Sequence, residues 1–296
     1  MIKRLKNIIF SASPDLRKRL IGIFILLLLF NGGVWLLILL SSQDYPLLLG
    51  LSVLAYGLGF RHAVDADHIA AIDNTTRKLV HDGQKPVTVG FFFSLGHSTV
   101  VIALSALVAV SANFIKQNLP RFSEIGSLIG TSFSSLFLLT IGIINLIAVV
   151  KIISTHHQTL EKFSGQEGIL TRILKPLLKT VRVSWQMYFI GFLFGLGFDT
   201  ATEIALISIS AASVMQGIPV LTILLLPLAF TAGMTLIDTL DGILMLKVYG
   251  WAYIEPARKF YYNMIITLIS AVTALFIGGI QALQTLKNYS IVFSGP

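Results

Sequence analysis

The sequence predicts an all-α integral membrane protein. Hydrophobic residues make up 55% of its 296 residues and charged residues 12%. Mean hydropathy is +0.82, and apolar stretches close to the ~20 residues that cross a bilayer as helix recur along the chain. That is too apolar for a water-soluble domain of this length, so lipid is the natural solvent.

Taken in order, the chain opens on a basic segment, 1–19, with Lys3, Arg4, Lys6, Arg17, Lys18 and Arg19. No small-x-small cleavage site follows the apolar run behind it, which suits a signal anchor better than a cleaved signal peptide. Seven transmembrane helices are predicted, at roughly 20–40, 47–73, 87–111, 125–150, 186–214, 219–246 and 263–286. They divide into a first half of four spans (20–150), a polar segment (151–185), a second half of three spans (186–286) and a tail (287–296). In the polar segment Leu170, Ile173, Leu174, Leu177 and Val181 alternate with Arg172, Lys175, Lys179 and Arg182. This pattern reads either as a basic amphipathic helix on an anionic leaflet, kinked at Pro176, or as a solvated linker.

The formal charge of +8 could suggest nucleic acid, but its placement excludes that partner. With the N-terminus cytoplasmic, 18 Lys and Arg fall in inside segments, and only Lys116, Arg121 and Lys287 fall outside. Such a positive-inside bias sets orientation. The absence of cysteine excludes disulfides and thiolate ligands, so any metal must be held by N or O.

Two pairs of spans read as copies. Gly57-Leu58-Gly59-Phe60 recurs as Gly195-Leu196-Gly197-Phe198, and Phe93-Ser94-Leu95-Gly96-His97-Ser98 is echoed by Phe230-Thr231-Ala232-Gly233-Met234-Thr235. Displacement by three spans makes the second pair run opposite to the first, an inverted repeat of the kind found in secondary transporters.

Charge inside a membrane is costly and needs a reason. Asp65, Asp67, Asp73, Asp199, Glu203, Asp238 and Asp241 lie in predicted spans, together with His62, His68 and His97 and a single base, Arg61. One guanidinium cannot neutralise seven carboxylates, so protons or bound cations must. At 100° per residue His62, Asp65 and His68 share one face, and Asp67 joins them only on a distorted helix, otherwise orienting a ring nitrogen from behind. Asp199 and Glu203 share a face at i,i+4, as do Asp238 and Asp241 at i,i+3. With a rise of ~1.5 Å per residue, His62, His97, Asp199 and Asp238 come roughly 12–20 Å from the cytoplasmic ends of their spans, a common slab near the midplane. Imidazole with carboxylate suits Ni(II), Co(II), Zn or Mn(II) better than Cu(I), and is too nitrogen-rich for Mg or Ca.

Other polar groups have ordinary roles. Asp73 reads as a helix-end or interfacial group, Asn145 as interhelical hydrogen-bonding glue, His81, His156 and His157 as solvated surface, and Arg61 as a counter-charge to the acidic cluster.

The motifs Arg61-His-Ala-Val-Asp-Ala-Asp-His-Ile69, Leu95-Gly-His-Ser-Thr-Val-Val101, Leu196-Gly-Phe-Asp-Thr-Ala-Thr-Glu-Ile204 and Gly233-Met-Thr-Leu-Ile-Asp-Thr-Leu-Asp-Gly242 resemble the signatures of the NiCoT nickel/cobalt transporters. The resemblance implies high-affinity Ni2+ uptake, with Co2+ as a second substrate, across a bacterial cytoplasmic membrane. It also implies a metal-handling role for His62, Asp67 and His68, which favours the distorted helix, and a bundle of eight helices where this chain shows seven. The metal is then substrate, and no cofactor is expected.

The function expected is secondary transport of a divalent metal, with His62, Asp65, Asp67, His68, His97, Asp199, Glu203, Asp238 and Asp241 as candidate ligands. No Gly-x4-Gly-Lys-[Ser/Thr] phosphate loop is present. Two rivals are a proton-coupled cation antiporter, since acids and histidines also build proton relays, and an intramembrane metallohydrolase, which would carry the His-Glu-x-x-His that this chain lacks.

Overall fold

A computed structural model describes residues 13–110, 131–147, 149–150, 181–197, 200–252 and 256–293. Helix α1 (Pro14–Ser41) starts on a proline, whose missing N–H costs nothing in a first turn. Its buried Leu20, Ile23, Leu27, Val34 and Ile38 follow helical spacing, while Leu28 and Leu29 are 72% and 67% exposed. Leucine turned outward beside a buried stripe is the pattern of a helix with lipid on one side. Helix α2 (Pro46–Ala63) also starts on proline, and α3 (Ala66–His81) follows after two residues, bent by 55° from it. Next come α4 (Val89–Val110) and α5 (Thr131–Ile147). A 3-10 turn at Ser184–Gln186 leads into α6 (Met187–Gly195), then α7 (Ala201–Met215). One turn at Val220–Ile223 precedes α8 (Leu225–Ala252), and α9 (Pro256–Phe293) ends the described chain.

The protein is therefore an all-α, multi-span membrane protein. Among the described residues four helices are long and apolar enough to cross a membrane, Pro14–Ser41, Val89–Val110, Val220–Tyr249 and Thr267–Lys287, and the bent pair α2/α3 makes a fifth. Thr131–Ile147 and Thr202–Val214 are shorter apolar helices. The second predicted span is thus broken in two rather than continuous over 47–73. The fifth, 186–214, contains two helices, α6 and α7. The expected amphipathic segment falls mostly outside the described residues, as do His156 and His157, whereas His81 is exposed as expected.

Close packing around α8 and α4 depends on glycine. A Cβ at Gly59 would strike the Phe230 carbonyl, and one at Gly233 the Tyr56 carbonyl, which fastens α2 to α8. The same clasp joins α4 to α6, where Gly191 meets the Phe93 carbonyl and Gly96 the Tyr188 carbonyl. At Gly90, a Cβ would strike the carbonyl of Asp238, tying α4 to α8. In lipid, where apolar side chains gain little by leaving their solvent, backbone approach through small residues is a main source of helix association. Phe93 and Phe230, both fully buried, fill the space beside these contacts.

Candidate metal site

The break between α2 and α3 builds one wall of the site. Val64 leaves the helical conformation and Asp65 is extended, at φ −66 and ψ 145. His62 therefore stands on the last turn of α2 and His68 on the first turn of α3, with ring centroids 4.5 Å apart. α4 contributes His97, whose ring lies 4.7 Å from that of His62 and 4.9 Å from that of His68. All three rings are buried, at 1%, 1% and 3% exposure. One ligand nitrogen from each lies within 4.8 Å of the others.

Carboxylates reach this centre from α7 and α8. Glu203 Oε1 is 2.9 Å from His97 Nε2, and His62 Nε2 is 2.9 Å from the same nitrogen. A single N–H can donate to only one of those two acceptors at full strength, so the three atoms together form an electron-rich pocket. Behind the rings, His62 Nδ1 faces Thr202 Oγ1 at 3.1 Å and Asp65 Oδ2 at 3.4 Å. His68 Nδ1 faces Asp238 Oδ2 at 3.2 Å, and Ser94 Oγ donates to the same oxygen at 2.5 Å. Thr200 Oγ1 donates to Glu203 Oε2 at 2.6 Å and, as the N-cap of α7, accepts from the Glu203 backbone N–H. Among the described residues His68 Nε2, His97 Nδ1 and Asp238 Oδ1 are buried without a hydrogen-bond partner. Buried polar atoms ordinarily find partners, and an unpartnered imidazole nitrogen within the histidine cluster is a lone pair or N–H still open to a ligand. Imidazole nitrogen with carboxylate oxygen is a donor set for divalent first-row transition metals.

Of the nine candidate residues, the structure brings His62, His68, His97, Glu203 and Asp238 together. Asp65 sits at the rim, paired with Arg61, which acts as a counter-charge. Asp67 lies outside the cluster, its Oδ1 accepting the His68 backbone N–H at 3.0 Å. Asp241 is one turn beyond Asp238, its Oδ2 buried without a hydrogen-bond partner among the described residues. Asp199 lies outside the described residues.

A second polar network runs beside the site. Arg77, expected in a cytoplasmic loop, instead belongs to α3 and is 8% exposed. It donates to Thr267 Oγ1 at 2.7 Å and to Asn74 Oδ1 at 3.2 Å. Asn145 also donates to Asn74 Oδ1, at 2.6 Å, which is interhelical bonding of the expected kind. Asp73 is not a helix-end group: it sits mid-helix and accepts from Tyr249 and from Ser270. The second predicted span ends at residue 73, whereas α3 continues to His81 and carries Arg77 with it. Thr202 and Ser94 carried no signal of their own, although Ser94 is three residues from His97 on one helix face.

A family model described as "High-affinity nickel-transport protein" matches residues 48–291. The high-affinity nickel transport protein of Cupriavidus necator is 47% identical over 97% of this chain and 85% of its own length. The high-affinity nickel-transport protein NixA of Helicobacter pylori strain J99 is 44% identical over 90% of this chain and 83% of its own. The cobalt transport protein NhlF of Rhodococcus rhodochrous is 40% identical over 81% of this chain and 72% of its own. No solved structure matches the chain.

Proposed function

The chain belongs to the NicO family of high-affinity nickel-transport proteins, and we propose that Ni2+, with Co2+ as a second substrate, crosses the membrane through its buried histidine and carboxylate centre. It is a high-affinity nickel transporter of the secondary type and not an enzyme, with no ATP-binding phosphate loop in the sequence. The observation that carries the proposed site is the convergence of His62, His68 and His97 with Glu203, from four helices, all of them buried.

A hydrated divalent ion entering a low-dielectric space must exchange water for ligands of comparable strength. The nitrogens of the three imidazoles and Glu203 Oε1 supply them. Thr202 and Asp65 hold the His62 ring, and Asp238 with Ser94 holds the His68 ring, which keeps the ligand lone pairs turned inward. Asp238 is here a positioning residue, and Asp67, whose Oδ1 accepts the His68 backbone N–H, is not part of the centre.

Alternating access between the halves 20–150 and 186–286 would carry the ion past this point. Two features support an inverted repeat: the duplicated glycine clasps, and the helix breaks before Asp65-Ala66 and before Thr200-Ala201, each followed by an extended N-cap. In this repeat Tyr56-x-x-Gly59 corresponds to Tyr188-x-x-Gly191, a register six residues from the one that the Gly-Leu-Gly-Phe match suggests. The excess of Lys and Arg at one set of loops supports a cytoplasmic N-terminus in a bacterial inner membrane, with seven spans in this chain.

Uptake of radioactive nickel into cells expressing the protein tests this, with Co2+, Zn2+, Mn2+ and Mg2+ as competitors. Uptake should be lost in His62→Ala, His68→Ala and His97→Ala proteins that still reach the membrane, and Co2+ should compete where Mg2+ does not. Full uptake in all three variants would place the path elsewhere.

A further inference from the structure

A cavity of ≈ 310 Å3, lined by none of the histidines, lies at the start of α1 and α4. Arg19, Lys85, Thr88 and Ser184 line it, together with the apolar Ile23, Leu26 and Val87. Two cationic side chains beside two hydroxyl-bearing residues suit a phosphodiester oxygen. The apolar side continues along α1 onto exposed Ile25 and Leu26, the surface that faces acyl chains. A free inorganic anion gains nothing from that surface, whereas a diacyl lipid covers it with its own chains.

We propose that this cavity binds the headgroup of an anionic glycerophospholipid of the leaflet on the basic side of the protein. The residues around it favour a negative ligand. Among the described residues Arg19 forms an exposed ion pair with Asp15, at 3.1 Å, and Lys85 a hydrogen bond to Ser13 Oγ, also at 3.1 Å. Both are easily rearranged, since exposed ion pairs contribute little. The sequence before Ser13 adds Lys3, Arg4 and Lys6, which would repel one another from a cationic pocket but attract an anionic bilayer surface. The site is independent of the metal centre, so its fate does not depend on the transport mechanism.

Trp185 follows Ser184 in sequence and is 52% exposed, which makes it a local reporter. The full chain carrying Trp35→Phe and Trp251→Phe, with Trp185 as the sole tryptophan, is reconstituted with brominated phosphatidylglycerol or brominated phosphatidylcholine. Each basic residue near an anionic surface strengthens attraction about five-fold, so phosphatidylglycerol should quench Trp185 with an apparent affinity about five- to twenty-fold above phosphatidylcholine. The preference should fall to near unity in Arg19→Gln/Lys85→Gln. It should also shrink in 0.5 M NaCl with no substitution at all, which keeps the test valid should the double variant fail to fold. Equal quenching by the two lipids, or a preference that survives both the substitutions and salt, overturns the proposal. Loss of the preference on adding millimolar inorganic phosphate also overturns it, because the occupant is then a free anion.

Discussion

Replacing Asp238 tests how the centre is held together. Its side chain is fully buried, accepts from Ser94 Oγ at 2.5 Å, and faces His68 Nδ1 at 3.2 Å. A carboxylate in that position fixes the proton on Nδ1 and leaves the Nε2 lone pair, which has no hydrogen-bond partner among the described residues, for the ion. Removing such a partner weakens metal binding by about 10- to 100-fold, or roughly 1.4–2.7 kcal/mol. Asp238→Asn keeps an oxygen that can accept from the ring and loses only the charge, so it belongs near the tenfold end. Asp238→Leu loses both and belongs near the hundredfold end. Nickel binding to the purified protein, by equilibrium dialysis, gives the affinity, and thermal unfolding without metal separates misfolding from lost binding. If Asp238 acts through His68, adding Asp238→Asn to His68→Ala should cost little more than His68→Ala alone. Unchanged affinity in a folded Asp238→Leu protein would refute the positioning role, and a loss well beyond hundredfold for Asp238→Asn would mean that the carboxylate touches the ion itself.

A Cβ at Gly195 would lie 2.8 Å from the His97 carbonyl and 3.2 Å from its Cα, so Gly195→Ala should displace that histidine and cut nickel uptake at least tenfold, about what a misplacement of several tenths of an ångström costs. Gly50→Ala, with open space around it, should leave uptake intact and slightly raise the thermal midpoint. Arg77→Met removes charged hydrogen bonds to Asn74 and Thr267, each worth about 1.5–3 kcal/mol, so unfolding in detergent should begin several degrees lower. Arg77→Lys should restore little of this, having no planar fork to bridge the two partners. Nickel affinity should fall steadily on acidification, and nickel binding in weak buffer should release protons, because the imidazoles and Glu203 hold the ion only when deprotonated. A pH-independent affinity would argue against an imidazole centre.

Composition and local order settled a good deal of this protein. Hydropathy sums over neighbours, so the membrane class was legible from leucine-rich runs such as 20–40. The Arg61–Ile69 and Leu95–Val101 motifs fixed the family and the importance of His62, His68 and His97, because charge inside apolar sequence stands out without knowledge of its surroundings.

Tertiary structure decided which charged groups meet. Glu203 reaches His97 across 106 residues and Asp238 reaches His68 across 170, whereas Asp67, adjacent to His68, turns to the helix backbone instead. An ideal helix puts Asp65 on the face of His62 and His68 and Asp67 off it, and the break at Val64-Asp65 leaves Asp65 beside His62 Nδ1 and Asp67 on the backbone of α3. Arg77 looked like loop because hydropathy falls where α3 in fact continues, its polar side satisfied by Asn74 and Thr267. Sequence records the burial cost of each side chain locally, but its partner is set by how closely helices approach, and that distance is fixed here by backbone contacts at Gly59, Gly90, Gly96 and Gly191, residues with no side chain to show what they touch.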